Sequence, residues 1–176
     1  TKKEKQRVGE HFTDEDIKRE IKELEGYYNL AKSITINTKG EELIKALRKL
    51  FNNAKKKGWP QKAVVFTESR RTQEYLIGLL DKAGITYTQF NGSNGSKEAR
   101  KAYEAWRKEF PEAASVGSFS ANMRQALIYN FKKNSQVFLT TEAGAEGLNL
   151  QFCNIVINYD LPWNPQRVEQ RIGRCH

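Results

Sequence analysis

The stretch AVVFTESRRTQEYLIGLLDKAG, residues 63–84, holds two structural periods side by side. AVVFT (63–67) is a short β-branched apolar run without alternation, which reads as a strand buried on both faces. After the polar turn, Tyr75, Leu76, Leu79 and Leu80 recur at helical spacing, and Gly84 closes a helix expected over 70–82. A strand feeding a helix is half of a βαβ unit.

Working outward, the alternation continues. ITYTQF (85–90) is the next strand, NGSNGS (91–96) a loop, and 97–109 a charged amphipathic helix. Residues 111–118 read as small and irregular, 120–132 as a helix, and QVFLTT (136–141) and NIVINYD (154–160) as further strands. Strands alternating with helices imply an α/β fold with a parallel sheet covered on both faces. Upstream, a helix fits 39–57 with Leu43, Ala46, Leu47, Leu50 and Phe51 as its buried stripe; it stops at Gly58, before Pro60. Thr13 followed by Asp14, Glu15 and Asp16 starts an earlier helix, with Ile17, Ile21, Leu24, Tyr28 and Ala31 at helical spacing. Residues 1–12 read as a polar, charged lead-in without period. The expected organisation is a helical N-terminal extension over 1–37 and one α/β lobe over 38–176.

With 176 residues, the chain is long enough for one proper core and short for two. Its 30 Lys and Arg against 21 Asp and Glu give a net charge of +9, which favours a polyanionic partner, nucleic acid first and an acidic membrane surface second. Many of those cations simply solvate helix faces. No apolar run approaches the ~20 residues of a membrane span, so no membrane partner is expected. The start carries no signal peptide, and without an initial Met the chain is expected to be an excised fragment. Cys153 and Cys175 lack ligand spacing, and the Cys175-His176 neighbours do not complete a zinc site, so no metal ligand is assigned. Nothing suggests disulfides, and a cytoplasmic location is the default.

Ligands of open parallel sheets bind at the carboxyl ends of the strands. The polar, Gly-rich segments fall there: TESRRT (67–72), NGSNGS, TEAGAEGLNLQ (141–151) and DLPWNPQRVEQRIGR (160–174). Neither G-x-x-x-x-G-K-[ST] nor G-x-G-x-x-G opening a helix occurs, so the chain holds no phosphate cradle of its own. Yet Arg171 and Arg174 sit close together near the end of the sequence. Arginine without a phosphate loop suggests a residue supplied across a cleft to a nucleotide held elsewhere.

FLTTEAGAEGLNLQ (138–151) followed by IVINYDLPWNPQRVEQRIGRCH (155–176) resembles motifs V and VI of superfamily 2 helicases and translocases. The wording is nearest to Swi/Snf-type ATPases, especially bacterial ones. AVVFTESRRTQEYL resembles motif IV, and QFNGS (89–93) the segment after it. The resemblance covers 38–176. It implies a RecA-like fold and the second of two such lobes, with ATP bound between them and nucleic acid running across both. ATP and Mg²⁺ would be held mainly by the first lobe, which is absent from this chain.

Two departures stand out. In the family a short arginine-bearing helix follows the NGS segment directly; here its match is MRQALIYNF (123–131), with Arg124 in that place. The interposed residues 95–122 read as an inserted helical hairpin carrying Trp106 and Phe110, either a cover packed on the lobe or a nucleic-acid wedge. The chain also stops inside motif VI, expected as a truncation.

The resemblance assigns roles residue by residue. Arg174 matches an arginine finger facing the γ-phosphate. Arg171 and Gln170 match positions that order this motif beside the nucleotide, with an ion pair inside the lobe as the other reading of Arg171. Gly147 and Asn149 match positions approaching the nucleotide sugar, and Asp160 would hold the loop before motif VI. Thr141, Thr67, Arg70, Ser93 and Arg124 match nucleic-acid contacts, though capping and turn chemistry also fit Thr67, Arg70 and Ser93. Trp163 reads as packing rather than base stacking. The implied function is the second motor lobe of an ATP-dependent translocase or helicase acting on double-stranded DNA. A DEAD/DEAH-type RNA helicase lobe is the same-class alternative, against which GLNLQ and PWNP argue; a non-catalytic basic binding module is the other.

Overall fold

The computed structural model describes residues 13–33, 38–145 and 147–175. The lead-in 1–12 and His176 lie outside the described residues. The chain divides after Thr38 into two compact units.

The first unit contains helix α1 (Asp14–Ser33). Its start is a reciprocal cap: Asp16 N donates to Thr13 Oγ1 at 3.2 Å, and Thr13 N donates back to Asp16 Oδ2 at 3.2 Å. The Thr13 hydroxyl also donates to Asp16 Oδ2 at 2.6 Å, and this bond, followed by the one from Thr13 N, favours the carboxylate and holds the Asp16 pKa below its ordinary value. The expected stripe of Ile17, Ile21, Leu24 and Tyr28 is exposed.

The second unit is a four-stranded sheet in the order β2-β3-β1-β4, with every neighbouring pair parallel. Its strands are β1 (Ala63–Thr67), β2 (Tyr87–Phe90), β3 (Val137–Thr141) and β4 (Ile155–Asn158). β1 and β3 are buried along their whole length, as an apolar run without alternation requires. Alternate residues serve opposite faces. Ala63, Val65, Val137 and Leu139 join a core with Leu43, Leu47 and Phe51 of helix α2 (Thr38–Lys56) and Leu76 and Leu80 of helix α3 (Arg70–Ala83). Val64, Phe66 and Phe138 join the other core, with Ala99 of helix α4 (Lys97–Glu109) and Met123, Leu127 and Phe131 of helix α6 (Phe119–Asn134). Truncating fully buried Leu47 or Leu76 to Ala costs about 2–5 kcal/mol.

Local chemistry sets the element ends. Ser69 caps α3 by accepting from Thr72 N at 3.0 Å, and Gly84 ends it in the left-handed region at φ 68°. Several expectations need correction. On α2 the buried stripe is Gly40, Leu43, Leu47, Phe51 and Ala54, while Leu50 is half-buried and Ala46 exposed, because Ala46 lies on the far flank of the face centred on Leu47. Tyr75 is 38% exposed rather than inward. The segment taken as irregular contains helix α5 (Pro111–Val116), started by a proline at its first position where no N–H is missed. Asn122 secures the turn after it, donating through Nδ2 to Ala114 O and Gly117 O at 2.9 and 3.2 Å.

The α4–α6 hairpin packs on the lobe. Ala99, Ala102 and Tyr103 contact the β-sheet core, and Trp106 is buried. Among the described residues no helix is long and apolar enough to cross a membrane.

Candidate functional site

The carboxyl ends of β1, β3 and β4 converge on one edge of the sheet, where helix α7 (Glu142–Ala145) follows β3 and helix α8 (Pro165–Ile172) follows β4. α8 starts on Asn164, whose side chain accepts from Gln166 N at 3.0 Å, with Pro165 at its first turn. This short helix carries Arg167, Gln170 and Arg171, and Arg174 follows it.

The two neighbouring arginines have opposite environments. Arg171 is 2% exposed. Its NH1 donates to Asn158 Oδ1 at 2.7 Å and Asp160 O at 3.0 Å, and NH2 donates to Glu142 Oε2 at 2.9 Å. The guanidinium also lies 4.9 Å from the centroid of the Phe66 ring. Nε has no partner among the described residues. Arg171 therefore forms an ion pair inside the lobe, joining α8 to the ends of β3 and β4. Glu142 also holds Arg167 at 3.2 Å, so one carboxylate serves two guanidinium groups.

Arg174 makes no ion pair through its guanidinium among the described residues. Its backbone is fixed instead: Leu150 N donates to Arg174 O at 2.8 Å, docking the end of motif VI on the segment after α7. The free thiols sit at this junction: Cys175 packs against the core cluster that contains Cys153, whose Sγ donates to Lys62 O at 3.1 Å.

Arg174 and Gln170 border two adjoining depressions. One, of about 790 Å³, is also lined by Thr141, Arg70, Gly92 and Arg167. The other, of about 480 Å³, is also lined by Gly147, Asn149 and Gly173. Gly147 sits at φ 74° in open space, so its requirement is conformational. Gly144 answers a close approach: a Cβ there would meet Phe90 Cδ1 at 3.1 Å and Thr140 Oγ1 at 3.2 Å.

The structure thus brings Arg174, Gln170, Gly147 and Asn149 together, and places Thr141 and Arg70 beside them. The other expected residues lie apart. Asp160 accepts from Glu68 N at 3.0 Å and pairs with Lys39 at 2.9 Å, fixing the loop after β1. Thr67 is fully buried, its hydroxyl donating to Ser69 O at 3.4 Å, so it braces the α3 turn rather than offering a surface donor. Ser93 borders a third hollow, and Arg124 is exposed on α6. Trp163 is 98% exposed, which corrects its reading as packing.

Sequence reasoning missed three positioning residues. Glu142 binds both Arg167 and Arg171, and Asn158 holds Arg171. Gln73 is fully buried and donates through Nε2 to Phe90 O at 3.0 Å and Leu139 O at 3.1 Å, tying the ends of β2 and β3 together. A polar residue on the inward face of a helix otherwise apolar there was the available signal for Gln73.

A doubly covered parallel sheet with an arginine-bearing carboxyl edge defines a RecA-like helicase lobe. The chain belongs to the helicase conserved C-terminal domain family, which matches residues 42–176. The "Uncharacterized ATP-dependent helicase YqhH" of Bacillus subtilis (strain 168) is 38% identical over 81% of this chain and 20% of its own length. The "ATP-dependent RNA helicase fal1" of Schizosaccharomyces pombe is 31% identical over 64% of this chain and 22% of its own. The chain therefore spans about a fifth of the curated relatives it matches. Among solved structures, the C-terminal part of the Fun30 ATPase domain superposes with a TM-score of 0.53 at 22% identity, covering 92% of this chain and 45% of that one. That likeness concerns the fold.

Proposed function

We propose that this lobe is the second motor lobe of an ATP-dependent nucleic-acid translocase, presenting Arg174 to a nucleotide held on a first lobe of the same protein. The observation that carries the proposal is the division of labour between two arginines. Arg171 is consumed by internal bonds, whereas Arg174 stands unpaired among the described residues on the rim of both depressions. The donor set suits a phosphate: the Arg174 and Arg70 guanidinium groups and the Thr141 hydroxyl, on a rim that also holds Glu68 and Glu142, the latter engaged by Arg167 and Arg171. Mg²⁺ is assigned to the first lobe on the family resemblance.

ATP supplies the phosphoryl group whose transfer drives the cycle. Arg174 meets negative charge that grows in the transition state. Gln170 and the fixed backbone of residues 171–174 orient it, and Arg171 keeps α8 seated as the cleft closes. Thr141 and Arg70 hold the nucleic-acid backbone on the same edge, so closure moves the strand. Arg167 borders the same depression but is engaged by Glu142.

Double-stranded DNA is the proposed track, on the Swi/Snf-like wording of residues 138–174. The RNA helicase fal1, similar over 113 residues, favours RNA as the second reading. Purified alone, the chain should hydrolyse no ATP above background, and the two-lobed protein should be stimulated more by duplex DNA than by RNA. Sustained turnover by the isolated chain contradicts the half-site reading. Preferential stimulation by RNA exchanges the track and leaves the motor.

A further inference from the structure

The hairpin raises a separate question. Its own core is Trp106, Phe110 and Tyr129, with ring centroids 5.9 Å apart for Trp106–Phe110 and 5.1 Å for Phe110–Tyr129. Phe119 stands outside it. This first residue of α6, directly after the Ser118 cap, is 65% exposed and meets Tyr103 edge-to-face at 5.1 Å. Together with Met123 these rings line a hollow of about 360 Å³, closed on its other side by Ser93, Asn94 and Gly95.

The rim of the hollow is asymmetric in charge. Arg100 is exposed and makes no ion pair among the described residues, whereas Glu104 faces Arg107 at 3.9 Å. The loop wall is internally braced. Asn91 Oδ1 accepts from Ser93 N and Asn94 N at 3.1 and 3.0 Å, and Asn94 Oδ1 accepts from Asn91 N at 2.8 Å. The same loop borders the cleft, because Gly92 lines the larger depression beside Arg70 and Thr141 while Ser93 lines the hollow.

We infer that this hollow receives one base that has left the stack where the bound duplex opens into single strand, with Phe119 as the stacking surface and Arg100 at the adjoining phosphate. The inference rests on the nucleic-acid reading of the cleft and assigns the hairpin a part in it. The hollow, at the lower end of small-ligand sites of roughly 300–1,000 Å³, has room for a group the size of one base. A flat aromatic surface beside an unpaired arginine matches how single strands are held without sequence preference.

The test uses the full-length protein and two oligodeoxynucleotides of equal length, one bearing bases and one with abasic sites throughout. Wild type should bind the base-bearing strand on the order of tenfold more tightly, the effect of about one stacked base. Phe119→Ala should lose most of this preference, leaving only the share that Trp163 contributes, Phe119→Tyr should restore it, and neither should change the melting temperature, since Phe119 is exposed. Arg70→Ala should weaken both strands alike. A wild type indifferent to bases overturns the inference, as does a Phe119→Ala variant that keeps the preference. So does a Phe119→Ala variant that loses stability, which marks the ring as packing. If neither strand binds with salt-dependent affinity, the cleft reading fails first and takes this one with it.

Discussion

Glu142 Oε2 lies 2.9 Å from Arg171 NH2, and this pair sets the position of the helix that leads to Arg174. The arginine side is buried and the carboxylate is 32% exposed. An arginine stays charged in any setting, so removing its partner strands a buried cation.

Glu142→Ala should therefore destabilise the lobe by about 2–4 kcal/mol, somewhat below the roughly 3–5 expected when both partners of a pair are buried. Denaturant unfolding checks this. An unchanged midpoint would mean that Asn158 and the Asp160 carbonyl hold Arg171 unaided.

Nucleic-acid binding should track phosphate contacts. Arg70→Ala should reduce the slope of log affinity against log salt by about 0.9 on duplex DNA, one phosphate's share. Thr141→Val should weaken binding with little sequence bias and leave that slope unchanged, because it removes no charge. Titrations at several salt concentrations separate the two. Binding that ignores salt, or that depends on one base sequence, contradicts backbone tracking.

Trp163, 98% exposed on the loop between β4 and α8, contributes nothing to the core. Trp163→Ala should change stability by no more than about 0.5 kcal/mol. It should lower nucleic-acid affinity severalfold, as the loss of a stacking surface does. Melting and binding measured on the same preparation decide it: a large drop in melting temperature would return this side chain to a packing role.

The sheet was legible because its strands are short β-branched runs, and AVVFT and VFLTT are buried throughout as such runs require. Helix phase was less legible. Ala46 and Tyr75 satisfy the helical period, but which face turns inward depends on where the helix meets the sheet. The site was legible as a set of motifs and not as a division of roles. Arg171 and Arg174 are the same residue type in the same motif, and what separates them is Glu142, Asn158 and Asp160, contributed by other elements. Periodicity carries no information about such long-range partners. Gln73 was missed for the same reason, since both its acceptors lie on strands remote in sequence.

Arg174 carries the proposed motor role, and the most direct measurement compares nucleotide affinity with turnover in the two-lobed protein for wild type, Arg174→Ala and Arg174→Lys. Arg174→Ala should bind ATP nearly as wild type does and lose turnover by about 10³-fold or more, because the guanidinium acts on charge present only in the transition state. Arg174→Lys should recover little, since a point charge on a flexible stem does not reproduce the planar fork. Wild-type turnover in Arg174→Ala would contradict the account and leave this arginine a structural residue of the edge it borders.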